Sequence, residues 1–277
     1  MKRKYSIAHL SALQVPPQEM VYMAAATGYD YVSIRPVLLG TPGEPNYAVE
    51  LNKEMYEEFD VALAETGMKL SDIELFRLTD EVDIDAWKPA FEFAQKHDCH
   101  QLITSCWTQK KEYAKETLAK LCETVKPYGI TCNFEFVTWS AAPTLKDAKE
   151  FIYSTGADNI GLLVDTLHFD RSRVSMAELD DCPRDWFNFV HLCDGPAPRP
   201  AMDDNEALIH TGRDARLYIG EGCVDIAGIV SRIPDTATLS IELPHIRRVE
   251  TYGALEHYRQ CITSAKKYLA AHGLDEL

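Results

Sequence analysis

Paired cysteines, long apolar runs and positive charge are all scarce in this chain of 277 residues. None of its eight cysteines (Cys99, Cys106, Cys122, Cys132, Cys182, Cys193, Cys223 and Cys261) stands in a C-x-x-C pair. That leaves zinc-ribbon and thioredoxin-type chemistry without support. Reduced thiols in a cytoplasmic protein are the expectation. No apolar run approaches the roughly 20 residues of a membrane helix. The opening MKRKYSIAHLSAL begins with charge and turns polar at once, unlike a secretory signal. No membrane partner is expected. Lys and Arg number 28 against 43 Asp and Glu, a formal net charge of -15. Phosphate backbones call for a basic footprint, so no nucleic-acid partner is expected either.

The composition that remains, 46% hydrophobic and 26% charged, is that of an ordinary folded chain. Eight short apolar runs alternate with helical patterns: 5–11, 31–35, 70–78, 101–106, 131–137, 160–165, 189–194 and 239–243. Several are apolar almost throughout, as in Gly161-Leu-Leu-Val164, which is how strands buried on both faces read. Between them, Ala114, Leu118, Leu121 and Val125 recur at helical spacing. So do Tyr252, Leu255, Tyr258, Ile262, Ala265 and Leu269, expected on one stripe of a last helix. Gly28, Gly67, Gly129 and Gly156 precede strands as helix stops. Eight βα units in one series predict a single (β/α)₈ TIM-barrel domain over residues 1–277. A doubly wound sheet would want a Gly-rich phosphate loop after its first strand, and His9-Leu-Ser-Ala-Leu-Gln-Val-Pro-Pro has none.

A barrel of this kind places active residues at the carboxyl ends of its strands. Four successive runs each present a metal-capable residue there: Glu135, Asp165, His191 and Glu242. Any one alone reads as a solvated or salt-bridged group. Four on consecutive strands of a closed barrel converge on the axis and can surround one point. Three carboxylates without a cation would repel one another. With one imidazole they make a mostly hard ligand set, suited to a single divalent ion. Mn²⁺ comes first, then Mg²⁺, Co²⁺ or Zn²⁺.

With these residues in view, the chain resembles the xylose-isomerase-like TIM-barrel superfamily, the sugar phosphate isomerase/epimerase group. The matching segments are Gly28-Tyr-Asp-Tyr-Val-Ser-Ile-Arg35, Asn133-Phe-Glu-Phe136, Val164-Asp-Thr-Leu-His168, His191-Leu-Cys-Asp194, Arg216-Leu-Tyr-Ile-Gly-Glu-Gly-Cys-Val-Asp225 and Ser240-Ile-Glu-Leu-Pro244. Ile219 stands where the family usually has a proline before its G-x-G turn. The resemblance implies that the quartet holds the metal and that Glu135 and Glu242 are catalytic acid/base groups. It also implies that His168 and Arg216 orient substrate oxygens. The expected activity is isomerisation or epimerisation of a sugar, keto-sugar or inosose through a metal-stabilised enediolate. Loss of a β-hydroxyl from the same intermediate gives the alternative, a dehydratase or other lyase. The expected partner is a small carbohydrate or polyol substrate, and homo-oligomerisation through the outer helices is left open.

Secondary candidates for substrate binding are His9, Arg35, Glu74 and Trp107, with His245 similar. The segment 195–220 carries Arg199, Arg213 and Arg216 and is expected to be a long active-face loop or lid. A hydrolase of the endonuclease IV type would need extra early histidines and a D-x-H after the seventh strand, which are missing. A non-catalytic sugar-binding protein would have no use for a complete quartet.

Overall fold

The computed structural model describes residues 3–40 and 43–275. Each apolar run becomes a strand: β1 Tyr5–Ala8, β2 Tyr31–Ile34, β3 Lys69–Leu78, β4 Gln101–Cys106, β5 Thr131–Glu135, β6 Ile160–Asp165, β7 Phe189–Leu192 and β8 Thr238–Ile241. Every pairing is parallel, and β1 joins both β2 and β8, closing the barrel in chain order. Where a run outlasts its strand, the extra residues turn out of the ladder onto the carboxyl-end face. His9 opens a 3₁₀ turn after β1, and Glu242 is the first residue beyond β8.

The helices are α1 Pro17–Thr27, α2 Lys53–Thr66, α3 Lys88–Lys96, α4 Lys111–Val125, α5 Leu145–Thr155, α6 Thr166–Arg171, α7 Met176–Asp180, α8 Asn205–Asp214, α9 Ile226–Val230, α10 Ile246–Tyr252 and α11 Ala254–Ala271. The four expected stop glycines all take left-handed backbone, with φ of 86, 70, 72 and 59° in chain order. The main core lies between barrel and helices, where Ala114, Leu118, Leu121 and Val125 of α4 are all fully buried. A small plug of Leu75, Ile103, Leu163 and Phe189 fills the barrel itself. Among the described residues no helix is long and apolar enough to cross a membrane.

Two expectations need correction. The stripe from Tyr252 to Leu269 is not one helix: Gly253, at φ 79° and ψ 156°, separates α10 from α11. Tyr252 and Leu255 are accordingly 58% and 39% exposed, and the buried stripe starts at Tyr258. The segment 195–220 is not a structureless lid. Asp204 caps the helix α8 by accepting the Ala207 N–H at 3.1 Å. Its arginines also part company: Arg199 pairs with Asp170 at 2.6 Å, Arg213 lines the active-face cavity, and Arg216 is buried.

Candidate metal centre and active site

Side chains on a strand alternate between its two faces, so Asn133 and Glu135, Leu163 and Asp165, and Phe189 and His191 point the same way, into the barrel. The plug formed by Leu163 and Phe189 fixes that face, and the polar residue two positions on stands above it. Register does the rest, since Asp165 lies directly beside His191. The ligand atoms of Glu135, Asp165, His191 and Glu242 all fall within 4.8 Å of one another.

The donor set fits a divalent cation on the state of His191. Its ring is fully buried, and neither Nδ1 nor Nε2 has a hydrogen-bond partner among the described residues. A buried imidazole with two idle nitrogens is unfavourable unless one of them takes a ligand or an ion partner. Glu242 Oε2 stands 3.5 Å from Nδ1. Without a cation the carboxylates must hold a proton there instead. Burial favours neutral His191, yet Glu242, Glu135 and Glu74 outweigh it and carry the ring up to about 10.

Arg216 ties two of the four acids together. Its guanidinium meets Asp165 Oδ2 at 2.5 Å and Glu242 Oε2 at 2.9 Å, while Nε donates to the Gly212 carbonyl at 2.8 Å. The second oxygen of Asp165 caps α6, accepting the N–H groups of Leu167 and His168 at 2.8 and 3.0 Å. Burial works against charge on Glu242, but Arg216 and His191 hold it well below the usual carboxylate range. Glu135 goes the other way, raised well above that range by burial and then by Glu242. Sequence reading gave Arg216 a substrate-orienting role; the structure shows it bound to two of the quartet's acids.

A cavity of about 710 Å³ opens over this centre, and Glu135, Glu242, His168 and Arg216 line it. His168 is held by Thr138, whose N–H and Oγ1 lie 3.4 and 3.1 Å from Nδ1. Burial first, then the Arg216 charge, brings the ring down to about 4 despite Asp165. With Nδ1 accepting the Thr138 N–H, the neutral ring carries its proton on Nε2. Arg35, Glu74, Trp107 and His245 also line the cavity. Arg35 Nε meets Glu74 Oε1 at 3.3 Å. His9 does not reach it. Its Nε2 lies 2.8 Å from the Val15 carbonyl, its Nδ1 accepts the Arg35 N–H at 3.2 Å, and its ring stacks on Tyr47. His9 props the backbone at Arg35, the first residue beyond β2.

Three features escaped the sequence reading. Trp139 packs on His168 with ring centroids 4.8 Å apart, and Gly212 leaves room for its indole: a Cβ there would stand 2.2 Å from the ring. Arg77, in the apolar stretch Leu75-Phe-Arg-Leu78, lines the cavity, and charge within an apolar run was the available signal. Asp194 gathers the N–H groups of Gly195, Gly220, Gly222 and Val224, and so builds the G-x-G turn without the usual proline.

Fold and site together define a (β/α)₈ barrel with a strand-end quartet of three carboxylates and a histidine. A family model described as xylose isomerase-like TIM barrel matches residues 21–268, and the chain belongs to that family. The inosose isomerase of Halalkalibacterium halodurans is 22% identical over 78% of this chain and 78% of that protein. The L-ribulose 3-epimerase of Mesorhizobium japonicum is 31% identical over 40% of this chain and 32% of its own length. A crystal structure of IolI protein with a bound zinc atom superposes with a TM-score of 0.76 at 17% identity, over 98% of this chain and 99% of that one.

Proposed function

We propose that the protein is a divalent-metal-dependent isomerase or epimerase of a sugar, keto-sugar or inosose, acting by proton abstraction next to a carbonyl. The observation that carries the reading is the buried quartet, four ligand atoms within 4.8 Å at the floor of an open cavity. The names of the relatives, inosose isomerase and L-ribulose 3-epimerase, support the reaction class. The zinc atom in the IolI structure supports a cation at such a centre.

Glu135, Asp165, His191 and Glu242 would hold the ion, and three hard carboxylates joined by one imidazole put Mn²⁺ ahead of Mg²⁺, Co²⁺ or Zn²⁺. When bound, such an ion supplies Lewis-acid stabilisation of the negative charge that grows on the substrate oxygens. The chain supplies the proton handling. Glu242, kept ionised by Arg216, accepts the proton from the carbon next to the carbonyl. Glu135, whose carboxyl is raised by burial, returns one. Two acids whose surroundings push them apart suit these two roles. His168, neutral and held by Thr138, donates from Nε2 to a substrate oxygen. Trp139 packs against that imidazole and lines the cavity beside it.

The test is solvent exchange in D₂O, followed by NMR over a panel of ketoses and inososes, with metal content measured on the same protein. Deuterium should enter at the carbon next to the carbonyl, and loss of a hydroxyl in the same spectra would report dehydration instead. Glu242→Gln should lower exchange by about 10²- to 10⁴-fold, the usual worth of a positioned acid/base group, with unchanged circular dichroism. Exchange at the wild-type rate in that variant removes the acid/base assignment.

A further inference from the structure

The floor of the cavity is acidic, and the rest of its lining carries charge of both signs, with Arg35, Arg77 and Arg213 alongside Glu44, Asp214 and Glu250. Arg77, next to last in β3, lays its guanidinium over the Trp107 ring at 4.5 Å. Its Nε is sealed from solvent and has no hydrogen-bond partner. Arg213, in the last turn of α8, lines the same cavity. Among the described residues neither arginine forms an ion pair or a side-chain hydrogen bond. Arg35 adds a third guanidinium, shared with Glu74.

These charges are close enough to act on one another. Burial, followed by Arg35 and Arg213, brings the Arg77 guanidinium down to about 10, against the opposing pull of Glu44 and Glu135. The buried arginines elsewhere are paired: Arg3 with Asp235, Arg171 with Asp170, and Arg216 with Asp165 and Glu242. A chain with an excess of 15 negative charges does not lack carboxylates to spend. Two half-buried guanidinium groups that line one cavity without an ion-pair partner are therefore set for a partner that arrives from outside.

We propose that Arg77 and Arg213 bind an anionic group, a carboxylate or a phosphate, on the substrate whose carbonyl end sits over the quartet. This rests on the function proposed for that centre and narrows the substrate class to keto-sugar acids or ketose phosphates over neutral polyols. The planar forks of two arginines match the oxygens of either anion, and the stack on Trp107 holds one fork before the ligand arrives.

The experiment has a binding arm and a turnover arm, both on the metal-loaded protein. Tryptophan fluorescence and calorimetry follow titrations with inorganic phosphate, malonate and, as a neutral control, myo-inositol. Wild type is compared with Arg77→Gln, Arg213→Gln and the double variant. The quartet is intact in all of them, so anion coordination at the metal cancels from the comparison. At least one anion should bind saturably, about 10-fold more weakly in each single variant and about 100-fold more weakly in the double. Preference between phosphate and malonate identifies the group. In deuterium exchange, the ratio of kcat/KM for anionic over neutral ketoses should be about 100 or more and should collapse in the double variant. Equal anion affinity in wild type and double variant, or a wild-type preference for neutral ketoses, overturns the proposal and leaves the centre's function standing. Anion binding lost in the variants with no exchange on any carbonyl compound supports the arginine site and overturns the reading of the quartet.

Discussion

Arg216 shows how one side chain sets the charge of a whole site. It is 2% exposed and spans two acids that would otherwise face each other across a few ångströms of protein. Removing one partner of a buried ion pair leaves the other charge stranded, which typically costs about 3–5 kcal/mol. Arg216→Gln should therefore be less stable by about that amount in chemical denaturation at neutral pH. A loss below about 1 kcal/mol would mean that the two acids are satisfied by something other than this guanidinium. At this scale legibility followed chemical contrast. Glu135, Asp165, His191 and Glu242 stand out because a metal-capable group at the end of an apolar strand needs a reason. Arg77 carries the same contrast, but an arginine at a strand end reads equally as a snorkelling surface residue. Whether His9 faces the cavity or props the backbone at Arg35 was not legible, because that depends on which backbone groups its ring nitrogens meet.

Strands and helices followed the sequence where burial repeats with a fixed period. All eight strands and the stop glycines fall where the pattern put them, because a parallel strand covered on both faces has almost no other composition. The errors lie where a single residue overrides the period. Gly253 divides a continuous apolar stripe, and capping by Asp204 starts α8 inside a stretch that reads as loop. The return from β7 to Arg216 is decided likewise by one residue. Asp194 Oδ1 accepts the N–H groups of Gly195 and Val224 at 2.8 and 3.0 Å, and Oδ2 those of Gly220 and Gly222 at 3.0 and 2.9 Å. Its backbone also pairs with Leu217, next to Arg216, in both directions. Asn at this position keeps one acceptor and turns an NH₂ toward two N–H donors. Asp194→Asn should lower stability by about 2–4 kcal/mol, from two charge-assisted hydrogen bonds lost. Activity should fall with it as Arg216 loses its footing, and full activity at the lowered stability would detach the turn from the site.

For the whole molecule, pH acts through buried groups that pull in opposite directions. His257 of α11 joins the last helix to the active face, its Nε2 2.9 Å from the Leu243 carbonyl and its Nδ1 3.0 Å from the Tyr218 hydroxyl. Burial brings its ring down to about 4. The folded chain therefore holds His257 neutral while the unfolded chain, at about 6.5, takes up a proton first. Its contribution is complete above pH 6.5 and is lost as pH falls toward 4. Asp72, pushed up to about 7 by burial, has the opposite sign: the folded chain takes up its proton first, so stability is gained as pH falls through 7. The net curve thus mixes gains and losses, and the histidine is isolated only as a difference between two proteins. His257→Gln should be less stable than wild type at pH 7.5, where two hydrogen bonds are weakened. That deficit should shrink by at most about 1.4 kcal/mol per pH unit between 6.5 and 4, the full linkage slope of one proton. Paired denaturation curves at pH 7.5, 6 and 5 measure it. A deficit independent of pH would show that His257 titrates alike in the folded and unfolded chains, and the acid sensitivity would then have to come from other buried imidazoles such as His9 and His168, both brought down to about 4.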